Sequence, residues 1–173
     1  MKKNLLILMC LIISLLILIN YKDKNKNNII SPININKNHI CACDSMILID
    51  YNGPKAQIIW TDENRSYYCE VREIFYEVND KIKSKRIKKI FVQDFSNLEW
   101  GSYTDKWIDA EQAVYVIDSN KDGAMGVTYV PFNNIDSAKN FMKENGGILL
   151  NFNQINTHVL TSSNEILKKR MIF

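Results

Sequence analysis

The segments Met46-Ile-Leu-Ile-Asp-Tyr51 and Lys55-Ala-Gln-Ile-Ile-Trp60 are apolar and rich in β-branched residues, and the dipeptide Asn52-Gly53 lies between them. Asn-Gly favours a tight turn because both central positions of such a turn adopt positive φ angles, although Pro54 can lengthen the loop. The pattern predicts a β-hairpin over residues 46–60.

A helix and a third strand are predicted after this hairpin. Four apolar residues recur at the spacing of one helical face, namely Val71, Ile74, Phe75 and Val78. Beyond the basic run 81–89, Ile90-Phe91-Val92 has the β-branched and aromatic composition of a strand. Residues 41–96 therefore form a predicted β-β-α-β unit.

The second half of the chain begins with another predicted hairpin. A strand at Ala113-Val-Tyr-Val-Ile117 is followed by a polar turn over residues 118–123 and a returning strand at Gly126-Val-Thr-Tyr-Val130. Apolar runs of this length on either side of turn residues are typical of paired strands.

A helix and a last strand complete this half. Asn133 or Asn134 can cap a helix that Gly146-Gly147 ends. Ile148-Leu149-Leu150 follows as the last strand, together with Phe152. The sequence thus predicts an α+β fold with two related β-β-α-β halves, at residues 41–96 and 97–173, the second carrying a C-terminal tail.

The first forty residues have the composition of an export signal and a tether. Residues 1–4 carry two lysines and residues 5–19 are almost entirely apolar, as in a signal peptide or a short signal anchor. No small-x-small cleavage pattern follows, so we expect residues 1–20 to remain as a hydrophobic anchor with Lys2 and Lys3 in the cytoplasm. Residues 21–40 are rich in Lys and Asn and predict a flexible tether.

Two thiols and a thioether fall within the six residues Cys41-Ala-Cys-Asp-Ser-Met46. Thiolate and thioether sulfur are ligands that favour Cu(I), whereas hard cations take oxygen ligands. The segment is therefore a candidate copper site. Two other interpretations of the spacing stay open, because the thiols could oxidise to one another or could be small buried side chains at the start of a strand.

Composition argues against several classes of function. The net charge of +3 arises partly from the signal and the tether, and no basic face with interleaved aromatic residues indicates nucleic-acid binding. No nucleophile elbow or phosphate-binding loop occurs, and two histidines leave little for acid-base catalysis, so we do not expect an enzyme. Cys69 lies one position off the apolar stripe of the first helix and is interpreted as a packing residue.

Two alternatives to copper binding remain. The first is a periplasmic thiol redox protein that uses Cys41 and Cys43, although the pair lacks the Cys-x-x-Cys spacing and a bridge across one residue would be strained and readily reduced. The second is an adaptor of the same fold that binds no metal. Stoichiometric copper binding without redox activity would separate a copper protein from both.

A series of short motifs, in one order along residues 41–173, resembles the NosL family. They are Cys43-Asp-Ser-Met46, Gly53-Pro-Lys-Ala-Gln57, Phe91-Val-Gln-Asp94, Trp107-Ile-Asp-Ala110, Ala113-Val-Tyr-Val116, Ala124-Met-Gly126, and Gly146-Gly147 with Phe152. The resemblance implies an exported, membrane-tethered Cu(I) chaperone for nitrous-oxide reductase maturation, with two β-β-α-β halves like those of organomercurial lyase. It also implies nitrous-oxide reductase and its ABC-type maturation and transport machinery as partners, at the periplasmic face of the bacterial inner membrane.

The same resemblance implies a Cu(I) site made of Cys41, Cys43, Met46 and Met125. Met125 enters this set only through the family motif Ala124-Met-Gly126. The family usually has a Cys-Gly-Met triplet, whereas two residues separate Cys43 from Met46, so either cysteine of the cluster can take the family role. Copper held by few ligands in an exposed cleft would pass to a recipient by ligand exchange.

Overall fold

The computed structural model describes residues 30–156, together with Ile12 and Ser14. The rest of the predicted anchor over residues 1–20, residues 21–29 of the predicted tether and the C-terminal residues from 157 lie outside the described residues. Within the part of the chain that is described, no helix has the length and apolar character needed to cross a membrane.

Four antiparallel strands form the first sheet. They are β1 (Ala56–Trp60), β2 (Arg65–Tyr68), β3 (Ile87–Gln93) and β4 (Trp107–Asp109). Their order across the sheet is β2-β1-β3-β4, so β1 and β3 are the central strands. The third strand predicted from Ile90-Phe91-Val92 is confirmed, whereas the three-residue strand β4 was not predicted because so short a run carries no readable alternation.

The predicted hairpin over residues 46–60 is wrong, although its second strand exists as β1. Leu48–Asp50 forms a 3-10 turn in which only Leu48 is buried, and the neighbouring Ile47 and Tyr51 are exposed. No strand edge is free for this run, because β1 pairs with β2 on one side and with β3 on the other. The hairpin that forms is β1 with β2.

Helix α1 (Ile74–Asn79) follows β2 through a single 3-10 turn at Val71–Glu73. Glu70 and Glu73 form a reciprocal capping box at this turn, in which each carboxylate accepts the backbone N–H of the other residue. Val71, Ile74 and Phe75 are fully buried, as the spacing of the apolar residues predicts. The predicted helix is therefore confirmed.

Five further strands and one longer helix follow in the described part of the chain. The strands are β5 (Val114–Ile117), β6 (Asp122–Gly123), β7 (Gly126–Val127), β8 (Val130–Phe132) and β9 (Ile148–Asn151). A second antiparallel sheet has the order β8-β5-β9, and β6 pairs with β7 alone. Helix α2 (Ile135–Asn145) begins after Asn134, whose side chain accepts the Ser137 N–H at 2.8 Å, and ends at Gly146.

The returning strand predicted at residues 126–130 is displaced. Gly126–Val127 pairs with Asp122–Gly123 as a small hairpin, and the strand that pairs with β5 on this side is Val130–Phe132. Gly126 has φ +95°, which allows the chain to turn back early. As a result, Met125 lies in the β6-β7 turn and not at the start of a sheet strand. Phe152, assigned to the last strand from the sequence, lies beyond the end of β9.

The two sheets share one core. Ile58 and Val92 from the first sheet pack in the same cluster as Ile117 from the second sheet and Phe75 from α1. A smaller cluster under α2 contains Phe132 and Ala138. A third cluster, beside the edge strand β2, contains Cys41 and Cys69 and positions the candidate site.

The chain upstream of Cys41 is fastened to this fold. The backbone N–H and carbonyl of Ile33 bond to the Gln57 side chain at 3.1 and 3.0 Å, and the Tyr103 hydroxyl donates to the Ile35 carbonyl at 2.9 Å. Ile35 is itself buried. The packed chain therefore begins before residue 41, where the tether was predicted to end.

Candidate metal centre

Cys41 and Cys69 form a buried thiol pair. Their exposed fractions are 2% and 0%, and the backbone N–H of Cys69 donates to Cys41 Sγ at 3.4 Å. Cys41 reaches this position because the Ala42 N–H donates to the Tyr67 carbonyl at 2.8 Å, which joins the loop to the end of β2 just before Cys69. The loop and the end of a sheet strand together bring the two sulfur atoms within 4.8 Å of each other.

The loop between Cys41 and Met46 is closed by its own backbone. The Cys41 N–H donates to the Met46 carbonyl at 2.8 Å, and the Ser45 N–H donates to the Cys41 carbonyl at 3.0 Å. The Asp44 carboxylate accepts the Met46 N–H at 3.0 Å. Ser45 has φ +65°, so the chain passes through the left-handed region to complete this turn. The sulfur-rich loop is therefore a defined structure.

Two carboxylates accompany the buried thiol pair. Glu73 accepts from the thiols of Cys41 and Cys69 at 3.4 and 3.5 Å. Asp44 Oδ2 lies 3.7 Å from Cys69 Sγ. One ligand atom from each of Cys41, Asp44, Cys69 and Glu73 lies within 4.8 Å of the others, so this group is compact enough to hold a metal ion.

The surroundings of the three thiols set different proton affinities. The hydrogen bond from the Cys69 thiol lowers the pKa of Cys41, against the opposing effect of burial. The same hydrogen bond, with burial, raises the pKa of Cys69. Partial desolvation and the negative charge of Glu73 raise the pKa of Cys43 to about 12. Cys41 is therefore the first of the three to become a thiolate, the form that binds metals.

The four predicted ligands occupy different environments. Cys41 lies in the buried thiol pair, and Met46 is half-buried and packs against the cluster that contains this pair. Cys43 is exposed, and Met125 is 52% exposed in the β6-β7 turn. Ala124, the neighbour of Met125, packs against the same cluster as Met46, so this turn lies beside the thiol pair.

The sequence did not place Cys69 in the candidate site. It is buried, as a packing residue would be, and its sulfur also lies within 4.8 Å of the ligand atoms of Cys41 and Glu73. One signal was present: Glu73 follows Cys69 by four residues at the start of a helix, a spacing that brings side chains together. Nothing in the sequence indicates the approach of Cys41, which is 28 residues away along the chain.

Met125 is held by its backbone. The Glu70 carboxylate accepts the Met125 N–H, and Arg72 Nη2 donates to the Met125 carbonyl at 2.7 Å. Arg72 Nε and Glu70 Oε2 form an ion pair at 2.9 Å, although the angle between them does not suit a hydrogen bond. The Glu70 side chain is only 1% exposed. A Cβ added at Gly123 would lie 2.7 Å from Glu70 Oε1, which explains the glycine there. These contacts fix the turn and leave the thioether in solvent.

Lys55 supports the other side of the thiol pair. Its Nζ donates to the carbonyls of Asn52 and Cys69, both at 3.1 Å, which orients the Cys69 backbone. The Lys55 residue is 4% exposed, and this burial lowers the pKa of its ammonium group to about 8. A buried cation beside two thiols and two carboxylates offsets part of their negative charge.

A comparison with known protein families identifies the family of this chain. The family model described as NosL matches residues 32–160. The chain belongs to the NosL family. The resemblance seen in the sequence motifs is thereby confirmed.

Individual relatives carry the same name. The copper-binding lipoprotein NosL of Stutzerimonas stutzeri is 28% identical over 134 residues, which are 76% of this chain and 69% of that protein. The copper-binding lipoprotein NosL of Achromobacter cycloclastes is 32% identical over 117 residues, 65% of this chain and 59% of that protein. The match thus spans less than two thirds of the length of the second relative.

A solved structure matches the fold. The crystal structure of the copper chaperone NosL from Shewanella denitrificans superposes with a TM-score of 0.68 at 28% identity, covering 71% of this chain and 93% of that chain. The mixed helix and sheet architecture predicted from the sequence is therefore confirmed.

Proposed function

We propose that this protein is an exported, membrane-tethered copper chaperone, not an enzyme, that carries Cu(I) for nitrous-oxide reductase assembly. Its recipients would be nitrous-oxide reductase and the associated ABC-type maturation and transport machinery, at the periplasmic face of the bacterial inner membrane. The names of the relatives support copper and a lipoprotein-like tether. The two sheets, each with its own helix, support an origin from two related β-β-α-β halves.

The buried thiol pair is the observation that supports copper best. The sulfur atoms of two thiols lie within 4.8 Å of each other at 2% and 0% residue exposure, and Met46 packs against the same cluster. Sulfur ligands of this kind select Cu(I) over hard cations such as Mg²⁺ and Ca²⁺. A bound cation would also relieve the repulsion among the Cys41 thiolate, Glu73 and Asp44.

The predicted ligands then have two roles. Cys41 and Met46, with Cys69 added from the structure, supply the inner sulfur donors. Cys43 and Met125 supply outer donors, because both are exposed and can be displaced without opening the core. A recipient that offers its own sulfur ligand can replace the outer donors first, so copper passes by ligand exchange and is never released as a free ion.

A competition titration tests the proposal. The full chain in detergent is reduced, and Cu(I) is distributed between the protein and a chromogenic Cu(I) chelator. We expect Cys41→Ser, Cys69→Ser and Met46→Ala each to weaken copper binding at least about tenfold, equivalent to about 1.4 kcal/mol. Transfer from the loaded protein to copper-free nitrous-oxide reductase, followed by its copper content, tests the recipient.

Met142→Ala is the matched control for Met46→Ala. Met142 packs in the separate cluster under α2, so its loss removes a thioether of the same kind without touching the thiol pair. Circular dichroism of each variant checks that it is folded. Copper affinity in Cys41→Ser that stays within about twofold of the wild-type value would contradict a site at this position.

A further inference from the structure

We propose that Cys41 and Cys69 form a reversible disulfide, and that this bond and copper occupancy exclude each other. The pair consists of free cysteines whose sulfur atoms lie within 4.8 Å, and closing the bond requires them to approach to the ~2.05 Å of a disulfide. The exclusion rests on the function proposed above, whereas formation of the bond does not.

The backbone around the pair favours this partner choice. The Ala42 N–H to Tyr67 carbonyl bond holds the two chain segments side by side, and the Cys69 N–H already contacts Cys41 Sγ at 3.4 Å. Cys43 is a poor partner for Cys41, because a bridge across a single residue is strained. Cys43 is also exposed, outside the compact group that contains Cys41 and Cys69. Proximity therefore selects Cys69 although Cys43 is nearer along the chain.

The oxidant is a disulfide of low molecular weight or of an exchange protein, and glutathione disulfide serves as the probe. The Cys41 thiolate attacks one glutathione sulfur, which forms a mixed disulfide and releases one glutathione thiolate. The Cys69 thiolate then attacks the Cys41 sulfur, which closes the protein disulfide and releases the second glutathione. Two electrons pass from the protein thiols to glutathione disulfide, and the two thiol protons pass to the glutathione thiolates.

The bond would act as a gate on copper loading. A disulfide sulfur has no thiolate charge, so both inner thiolate donors are lost together when the bond forms. Copper bound between the thiols would in turn keep them apart and prevent the exchange reaction. The protein would accept copper only after a reductant has opened the bond, and an unloaded protein would be protected from further oxidation of its thiols.

Equilibration with glutathione redox buffers tests the disulfide. The copper-free full chain in detergent is held in mixtures of reduced and oxidised glutathione, quenched in acid, alkylated and digested with trypsin. Cys41 and Cys43 lie in peptide 38–55 and Cys69 in peptide 66–72, so a disulfide joins these two peptides. We expect the joined peptides in the wild-type chain and in Cys43→Ser, and their loss in Cys41→Ser and Cys69→Ser.

Two results would overturn the disulfide. One is that Cys41 and Cys69 stay reduced, and are therefore alkylated after the quench, in buffers that oxidise Cys43 to its mixed disulfide with glutathione. The other is that the joined peptides disappear in Cys43→Ser, which would assign the bond to Cys43. Because the measurement is made at equilibrium, the limited exposure of the pair slows the approach without changing the outcome.

A copper measurement tests the exclusion. We expect the oxidised protein to bind Cu(I) at least tenfold more weakly than the reduced protein, with full recovery after reduction, and equimolar Cu(I) to prevent formation of the joined peptides. Equal copper affinity of the two forms would overturn the gate. If the reduced protein binds no copper, the proposed function fails, while the peptide mapping still decides whether the disulfide exists.

Discussion

Removal of the Arg72 guanidinium is expected to lower the free energy of unfolding, because it takes a positive charge away from the buried Glu70 carboxylate. Arg72→Ala deletes the ion pair at 2.9 Å and the hydrogen bond to the Met125 carbonyl at 2.7 Å. The Glu70 carboxylate is 1% exposed and would lose the positive charge of Arg72, which leaves Lys55 as the cation that still acts on it. Arg86→Ala is the matched control, because its ion pair with Asp62 has side-chain exposures of 58% and 43%.

The magnitude follows from these exposures. Breaking a fully buried ion pair costs about 3–5 kcal/mol, and an exposed pair contributes about 0–1 kcal/mol. The Arg72 side chain is 30% exposed, so water can replace part of what is lost. We therefore expect Arg72→Ala to lower the free energy of unfolding by about 2–4 kcal/mol, and Arg86→Ala by less than about 1 kcal/mol.

Urea denaturation of the full chain, followed by circular dichroism, measures both values. The dependence of the free energy of unfolding on urea concentration should be the same in both variants and the wild type, which shows that the transitions are comparable. Addition of Glu70→Gln to Arg72→Ala should recover part of the loss, because a neutral amide needs no counter-ion. The reasoning is refuted if Arg72→Ala and Arg86→Ala differ by less than about 0.5 kcal/mol, or if Glu70→Gln brings no recovery.

Three further predictions concern the second half and copper. Asn134→Ala removes the side-chain acceptor for the Ser137 N–H and should lower the free energy of unfolding by about 1 kcal/mol, measured by the same denaturation; no change would mean that the cap contributes nothing. Gly147→Ala should destabilise by at least about 1 kcal/mol, because Gly147 has φ +102° and a Cβ would lie 2.6 Å from the Ile117 carbonyl oxygen; a stability equal to wild type would contradict this close approach. Cu(I) at about 100 times its dissociation constant should stabilise the reduced protein by about 2.7 kcal/mol, and Cys41→Ser should lose most of this gain in thermal unfolding.

The elements that could be predicted were those with a complete local signal. Helix α2 has both a cap at Asn134 and a stop at Gly146, and α1 has a regular apolar stripe. The run Met46–Tyr51 has strand composition but does not form a strand, because β2 and β3 occupy both edges of β1. Competition for a sheet edge is a tertiary effect that local composition does not contain.

The candidate site shows the same limit. Cys41 and Met46 were predicted as ligands because they lie close together in the sequence, and the structure places both at the third cluster. Cys69 was missed because its approach to Cys41 depends on pairing between the loop and the end of β2, 28 residues away along the chain. Donors from one segment can be read from spacing, whereas donors from separate segments become visible only in the folded chain.

The closed loop from Cys41 to Met46 has a consequence for the speed of metal capture. Its turn is already held by backbone bonds of 2.8 and 3.0 Å, so the ordering entropy of this segment is lost during folding and not when the ion arrives. Uptake should then be limited by encounter with a copper donor and by removal of the donor's own ligands. For the copper function proposed above, the preformed loop favours rapid ligand exchange, because this segment does not have to become ordered when the ion binds.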